Sequence, residues 1–200
     1  MRTRQETSSV PANINGVVFS ESVNSIARHL PSTQTLIASK IIAPTTKSWS
    51  ADLLPSGFQL YTTPPATFAA LFDRYTLDKI KVRISLTGDF NAQKAIPLAI
   101  ATDFSGSSGA PSSNIVVASY RNAIQTLLSP THPTVEITIN NPTHLLDLSD
   151  GDTVTRDSMP TTQPWNCGYM WIAPLLTAAT PFNLIINSEW QYKLSEPIYY

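Results

Sequence analysis

Charge is what this sequence has least of. Asp, Glu, Lys and Arg make up 14% of its 200 residues, against roughly 25% in an ordinary soluble protein, and the formal net charge is −1. A chain this close to neutrality has no global basic field to attract nucleic acid or an anionic membrane. The single cysteine, Cys167, excludes an intramolecular disulfide, and the only near-match to a glycosylation acceptor, Asn141-Pro142-Thr143, carries the forbidden proline. Both absences favour an intracellular origin. No basic-then-apolar leader pattern opens the chain, and the most apolar region, Met170 to Ile186, is broken by Pro174 and Pro181 into two strands and a turn, so no segment is expected to span a membrane. Catalytic signatures are missing too: there is no Gly-rich phosphate loop, no Cys pair or His/Cys spacing for zinc, no Gly-x-Ser-x-Gly elbow and no His-Glu-x-x-His. His29, His132 and His144 are scattered, and ordinary surface or core roles account for them. The expectation is a protein that is not an enzyme.

Prolines (16) outnumber glycines (7), which with many Ser and Thr residues suits numerous strands, long loops and a surface partly covered by partners. The clearest element is Tyr75 to Leu86. Ile80, Val82, Ile84 and Leu86 alternate with Lys79, Lys81, Arg83 and Ser85, the period of a half-buried strand. Just before it Phe68, Leu71, Phe72 and Tyr75 recur at i, i+3, i+4 and i+7 behind Pro64-Pro65, which predicts a short helix leading into that strand.

Residues 1–12, with Arg2 and Arg4 and no apolar period, read as a mobile arm, and 13–200 as one domain. Residues 13–30 fit either a strand around Val17 to Phe19 or a helix through Val23, Ile26 and Leu30. Gln34 to Leu54 predicts a long strand broken near Ala43-Pro44, and Ile96 to Ile100 a strand that Pro97 would place at an edge or a bulge. Residues 103–113 form a polar loop; Asn114 caps a helical turn or gives way to a strand over Ile124 to Leu128, two readings that compete. Val135 to Ile139 is a clean strand, and Phe182 to Leu194 a long one with a single apolar parity. Tyr169 to Ile172 is apolar on both faces, as for a strand covered by its own core and by a neighbouring subunit.

Several residues are candidates for contacts. Lys79, Lys81 and Arg83 form a basic stripe that could meet phosphates or merely be a solvated, aggregation-resistant strand face. Asp147, Asp150 and Asp152 could offer oxygens to Ca2+, although a solvated Asp-Gly-Asp turn explains them equally well. The 23 residues from Pro142 to Pro164 read as an irregular excursion of the kind used for contacts; Asp157 in it, with Trp165 and Trp171 beyond it, is the expected subunit interface.

The Pro-containing loop, the aromatic segment FAALFDRY and the strand TLDKIKVRISL together resemble the single jelly-roll coat proteins of small icosahedral viruses with plus-strand RNA or circular single-stranded DNA; Phe72, Tyr75, Ile80, Val82 and Ile84 carry the likeness over about twenty residues. In that family an aromatic turn enters the third strand of the jelly roll. The resemblance implies an all-β, eight-stranded antiparallel jelly-roll sandwich with one or two short helices, many copies of which form an icosahedral shell around an RNA or single-stranded DNA genome, assembled inside the host cell into a virion. It implies no catalysis, no membrane and no cofactor beyond Ca2+ between subunits. Many such proteins have an Arg/Lys-rich arm, where this chain offers only Arg2 and Arg4 before Arg28. The alternative is a β-sandwich module that binds carbohydrate or a receptor without forming a shell.

Overall fold

One face of the basic and apolar stretch is indeed sealed: Ile80, Val82, Ile84 and Leu86 are buried, while Lys81 and Arg83 stand in solvent. A computed structural model of the chain describes residues 11–14, 17–20, 36–50, 53–87, 95–105, 109–147, 153–156, 158–176 and 181–198. In it this strand, β5, runs over Phe72–Thr87 and pairs along nearly its whole length with the closing strand β13, Phe182–Pro197. The alternation predicted for β13 holds, with Phe182, Leu184, Ile186, Trp190, Tyr192 and Leu194 all buried.

The helix predicted over Phe68 to Tyr75 is a correction. Helix α1 covers only Ala66–Ala69, and Phe72 and Tyr75 already belong to β5. Phe72 and Tyr75 are both buried within β5 although three residues apart, a spacing that also fits a helix. The register against β13 slips between Gln191 and Tyr192, so Asp78 is an extra residue and the buried parity changes from Tyr75 and Leu77 to Ile80 onward. Further turns of a short helix would forgo the ladder to β13, and isolated helices of this length are marginal in water.

Two antiparallel sheets enclose the core. The first runs β1 (Pro11–Ile14), β2 (Val17–Ser20), β3 (Leu36–Trp49), β13 and β5; beyond β5, two strands share its outer edge, β8 (Thr134–Asn140) and β11 (Met159–Pro160). The second runs β4 (Ser56–Thr62), β12 (Trp165–Pro174), β6 (Ile96–Asp103) and β7 (Ile124–Leu128). Counting β3, β4, β5, β6, β7, β8, β12 and β13 in chain order as one to eight, the sheets read 1-8-3-6 and 2-7-4-5. Apart from the fourth and fifth, which pair with each other, each strand leaves one sheet for the other, which is the jelly-roll order. β5 is the third of the eight. Of the two readings of residues 13–30, the strand is realised at Val17–Ser20, while the helical one falls on 21–35, outside the described residues.

The inner faces meet in a cluster centred on aromatic rings. Tyr75 lies 5.5 Å from Trp165 and 5.8 Å from Tyr192, Phe68 packs edge-on to Tyr192, and Trp49 stacks on Phe182 at 5.0 Å. Buried hydroxyls are satisfied: Tyr192 Oη and Thr62 Oγ1 share a 2.7 Å hydrogen bond across the sandwich, and Tyr75 Oη donates to the Gln163 carbonyl at 2.8 Å.

The predicted break near Ala43-Pro44 is a bulge inside a continuous β3, where the two residues stand opposite Asn187 alone. Pro97 marks neither an edge nor a bulge. β6 is an interior strand, and Pro97 is tolerated because it precedes the first β12 pair, Leu98 with Pro174, so no ladder on that side needs its missing N–H. The helix and the strand that competed after residue 113 both exist, as α2 (Asn114–Ala118) and β7. The cap is Ser113, whose Oγ accepts from the Val116 amide, and not Asn114.

The excursion Pro142 to Pro164 is also more ordered than expected. It contains a hairpin of β9 (His144–Asp147) and β10 (Thr153–Arg156), then β11, which pairs with the start of β5. Each pairing is too short to leave a period in sequence. Thr161 Oγ1 donates to the Phe72 carbonyl at 2.7 Å and Met159 is buried, so the end of the excursion clamps β5.

Candidate assembly and nucleic-acid surfaces

Cross-strand register decides what the basic stripe can do. On the outer face of the first sheet Lys81 stands directly opposite Glu189 of β13, and Arg83 directly opposite Glu136 of β8. Lys81 Nζ lies 3.7 Å from the Glu189 carboxylate and Arg83 Nε 3.5 Å from that of Glu136. The same face carries Lys193 against Asp78 at 2.6 Å, and Arg74, whose guanidinium donates to Ser158 Oγ at 2.6 Å and approaches Glu196 at 4.0 Å. Exposed pairs of this kind contribute about 0–1 kcal/mol. Their electrostatic effect matters more: the positive charge of the stripe is largely answered within the sheet. Lys79 lies level with Asn140 and has no acid directly opposite it. A depression of about 340 Å³ opens beside the Asn187 bulge, with Lys81, Arg83, Glu136 and Glu189 around it and Ile41 in its wall. Two cations and two anions make a mixed rim, a poor trap for a bare phosphate.

The expected interface residues separate. Trp165 is 1% exposed and lies in the inner core against Tyr75; Trp171 is 4% exposed on the opposite face of β12. There Trp171 joins Ala99, Ala101, Ala173 and Val117 of α2 in a second apolar cluster. The outer cover expected of a neighbouring subunit is therefore supplied by the chain's own α2. With their surface used up internally, neither tryptophan offers a side chain to another copy. Trp171 lies over Gly57, where an added Cβ would come within 2.7 Å of its ring. Asp157, Asp150, Asp152, Arg2 and Arg4 lie outside the described residues, and Asp147 ends β9 opposite Thr153. Among the described residues no group of three or more His, Cys, Asp or Glu side chains could hold a metal ion.

The surface features that sequence reasoning missed are apolar and sit on strand edges. Tyr61 on β4 and Ile124 and Leu127 on β7 are exposed at opposite edges of the second sheet, while Ile37 and Ile41 are exposed on β3. Between the sheets Lys40, whose backbone pairs with buried Trp190, extends its ammonium to the Thr63 carbonyl at 2.8 Å; burial lowers its pKa. Burial also pushes the Cys167 thiol up to about 12, and raises the phenols of Tyr75 and Tyr192. The thiol and the two phenols are neutral structural members with no sign of activation.

No protein-family profile matches the sequence, and no curated protein sequence matches it. Solved structures do. The BFDV capsid protein crystallised as a 60-mer superposes with a TM-score of 0.60 at 9% identity, over 84% of this chain and 96% of that one. The decameric BFDV capsid protein gives 0.50 at 10% identity, over 80% and 99%. With the strand order above, the chain has the jelly-roll fold that the BFDV capsid protein also has.

Proposed function

We propose that this chain is the subunit of an icosahedral viral capsid, a structural protein that self-assembles and has no catalytic role. The carrying observation is the complete eight-strand jelly-roll order, matched over 84% of the chain by a capsid protein that forms a 60-mer. The exposed apolar residues at opposite edges of the second sheet support it. Tyr61 on one edge and Ile124 and Leu127 on the other form two different patches, the arrangement a head-to-tail contact needs if copies are to close into rings. The β9–β10 hairpin is the part of the Pro142 to Pro164 excursion we assign to contacts, because Met159 and Thr161 at its end belong to the core.

Within this reading the genome is held by the arm, not by the sheet. Lys81 and Arg83 already face Glu189 and Glu136, whereas Arg2 and Arg4 precede the first strand. Deleting residues 1–10 should leave particles intact and lower the nucleic acid that co-purifies with them, read as the 260/280 nm absorbance ratio. Loss of assembly, or an unchanged ratio, would refute the assignment. The proposal includes no cofactor, so EDTA should leave particle size unchanged; swelling on chelation would instead assign a Ca2+ site, with Asp147, Asp150 and Asp152 as its first candidates.

A further inference from the structure

At the end of β6 the surface holds a second depression, unrelated to the ion-paired sheet face. It is shallow, about 540 Å³, and lined by Thr102, Asp103, Phe104, Tyr120, Arg121 and Asn122. Thr102, Phe104 and Asn122 also line an adjoining pit of about 240 Å³, whose apolar wall includes Ile124, Ile137, Ile139 and Met170. The two form one site, apolar at one end and polar at the other.

Its polar groups are fixed but not used up. Asp103 Oδ1 accepts from the Ser105 amide at 2.9 Å and from Ser105 Oγ at 2.6 Å, which orients the carboxylate, and Oδ2 has no hydrogen-bond partner among the described residues. Asn122 Nδ2 donates to the Thr102 carbonyl at 2.7 Å and to Thr102 Oγ1 at 2.6 Å, and its Oδ1 has no donor among the described residues. Arg121 is exposed and has no ion-pair partner among the described residues. The rings of Phe104 and Tyr120 flank these groups. Two oriented acceptors for hydroxyls, one guanidinium without an ion-pair partner among the described residues, a ring to lie against C–H groups and an apolar pit with ample room for an acetamide methyl together suit one ligand chemistry.

We propose that this depression binds a sugar carrying both a carboxylate and an N-acetyl group, of the sialic acid type, at the end of a glycan. Arg121 takes the carboxylate, Asp103 and Asn122 accept from hydroxyls of the ring and of its glycerol side chain, Phe104 underlies the ring and the pit takes the acetyl methyl. A nucleic acid fits less well, because a run of phosphates needs several cations and Arg121 is, among the described residues, the one cationic side chain lining this depression. The inference goes beyond the capsid reading, since it holds for a single subunit as well as a particle.

Saturation-transfer NMR on the purified full chain tests it, with N-acetylneuraminic acid methyl glycoside as the probe and lactose, glucuronic acid and heparin oligosaccharide as comparisons. A site this open predicts a Kd of about 1 mM, with lactose silent and glucuronic acid weaker. Arg121→Ala should weaken binding about tenfold or more, Arg121→Lys less, and Phe104→Ala should remove the ring contacts. No saturable signal from the acidic sugar, equal binding of lactose, binding of heparin alone, or full binding by Arg121→Ala would each overturn the proposal. Sedimentation of the same samples keeps the two readings apart. An Arg121→Ala protein that no longer assembles, from a parent that binds no sugar, makes this face a subunit contact and refutes the sugar site. Sugar binding by a parent that never assembles upholds this proposal and refutes the capsid reading.

Discussion

Ile84 sits at the centre of β5, fully buried, opposite Ile186 of β13 on one side and Val135 of β8 on the other. Ile84→Asp removes a core side chain, a loss of about 2–5 kcal/mol by analogy with Ile→Ala. It also places a carboxyl where no donor awaits it. Keeping that carboxyl neutral at pH 7 costs about 1.4 kcal/mol for each pH unit above its ordinary value of about 3.9, or about 4 kcal/mol. The sum, about 6–9 kcal/mol, is comparable to the whole stability of a domain, about 5–15 kcal/mol. The buried carboxyl's pKa is raised, so the ionisation part is fully present at pH 7 and is relieved as pH falls toward 4. Lys81→Ser, three residues away on the solvent face, should cost under about 1 kcal/mol. Circular dichroism melts at pH 7 and pH 4.5 read the difference. Equal melting of the two variants, or an Ile84→Asp protein no more stable at pH 4.5 relative to its parent, would refute the inward assignment.

Gly168 has φ +98°, and a Cβ there would stand 2.0 Å from the Asp103 carbonyl oxygen. Gly168→Ala should therefore lower Tm by several degrees or abolish soluble expression. Cys167 should resist a thiol reagent at pH 8 until the chain is unfolded. Its folded pKa of about 12 exceeds the unfolded value of about 9, so stability should fall as pH climbs above about 9, with Tyr75 and Tyr192 adding in the same direction above about 10; a melting temperature flat from pH 8 to 10.5 would contradict this. Replacing residues 144–156 by a short Gly/Ser linker should leave a folded monomer that melts normally but forms no particle, and particles of unchanged size would remove the hairpin from the interface.

What the sequence made legible follows from period. The alternation through Ile80 to Leu86 and Phe182 to Leu194 placed the two longest strands and their buried faces correctly, because a face repeated every second residue leaves a mark that no other element imitates. Bulges erased that mark locally. The extra residue at Asp78 shifted the buried parity between Leu77 and Ile80, while Phe72 and Tyr75, both buried three residues apart in β5, have a spacing that also fits a helix. Long-range packing was invisible for another reason: Trp171 is covered by the five-residue helix α2, which lies more than fifty residues earlier, so its apolar surface could be read as an interface. Charge pairing was hidden in the same way, since Arg83 meets Glu136 only once β8 is set beside β5. The depression around Arg121 left no mark in the sequence because the end of β6 and the turn after α2 that form it meet only in the fold.

The central claim is assembly, and the direct test is sedimentation velocity of the purified full chain at neutral pH, with negative-stain images of the fastest species. The account predicts closed particles of about 60 copies or a multiple, which for a 21.9 kDa chain means about 1.3 MDa or more. A single species between monomer and tetramer, unchanged with concentration and salt, would contradict it.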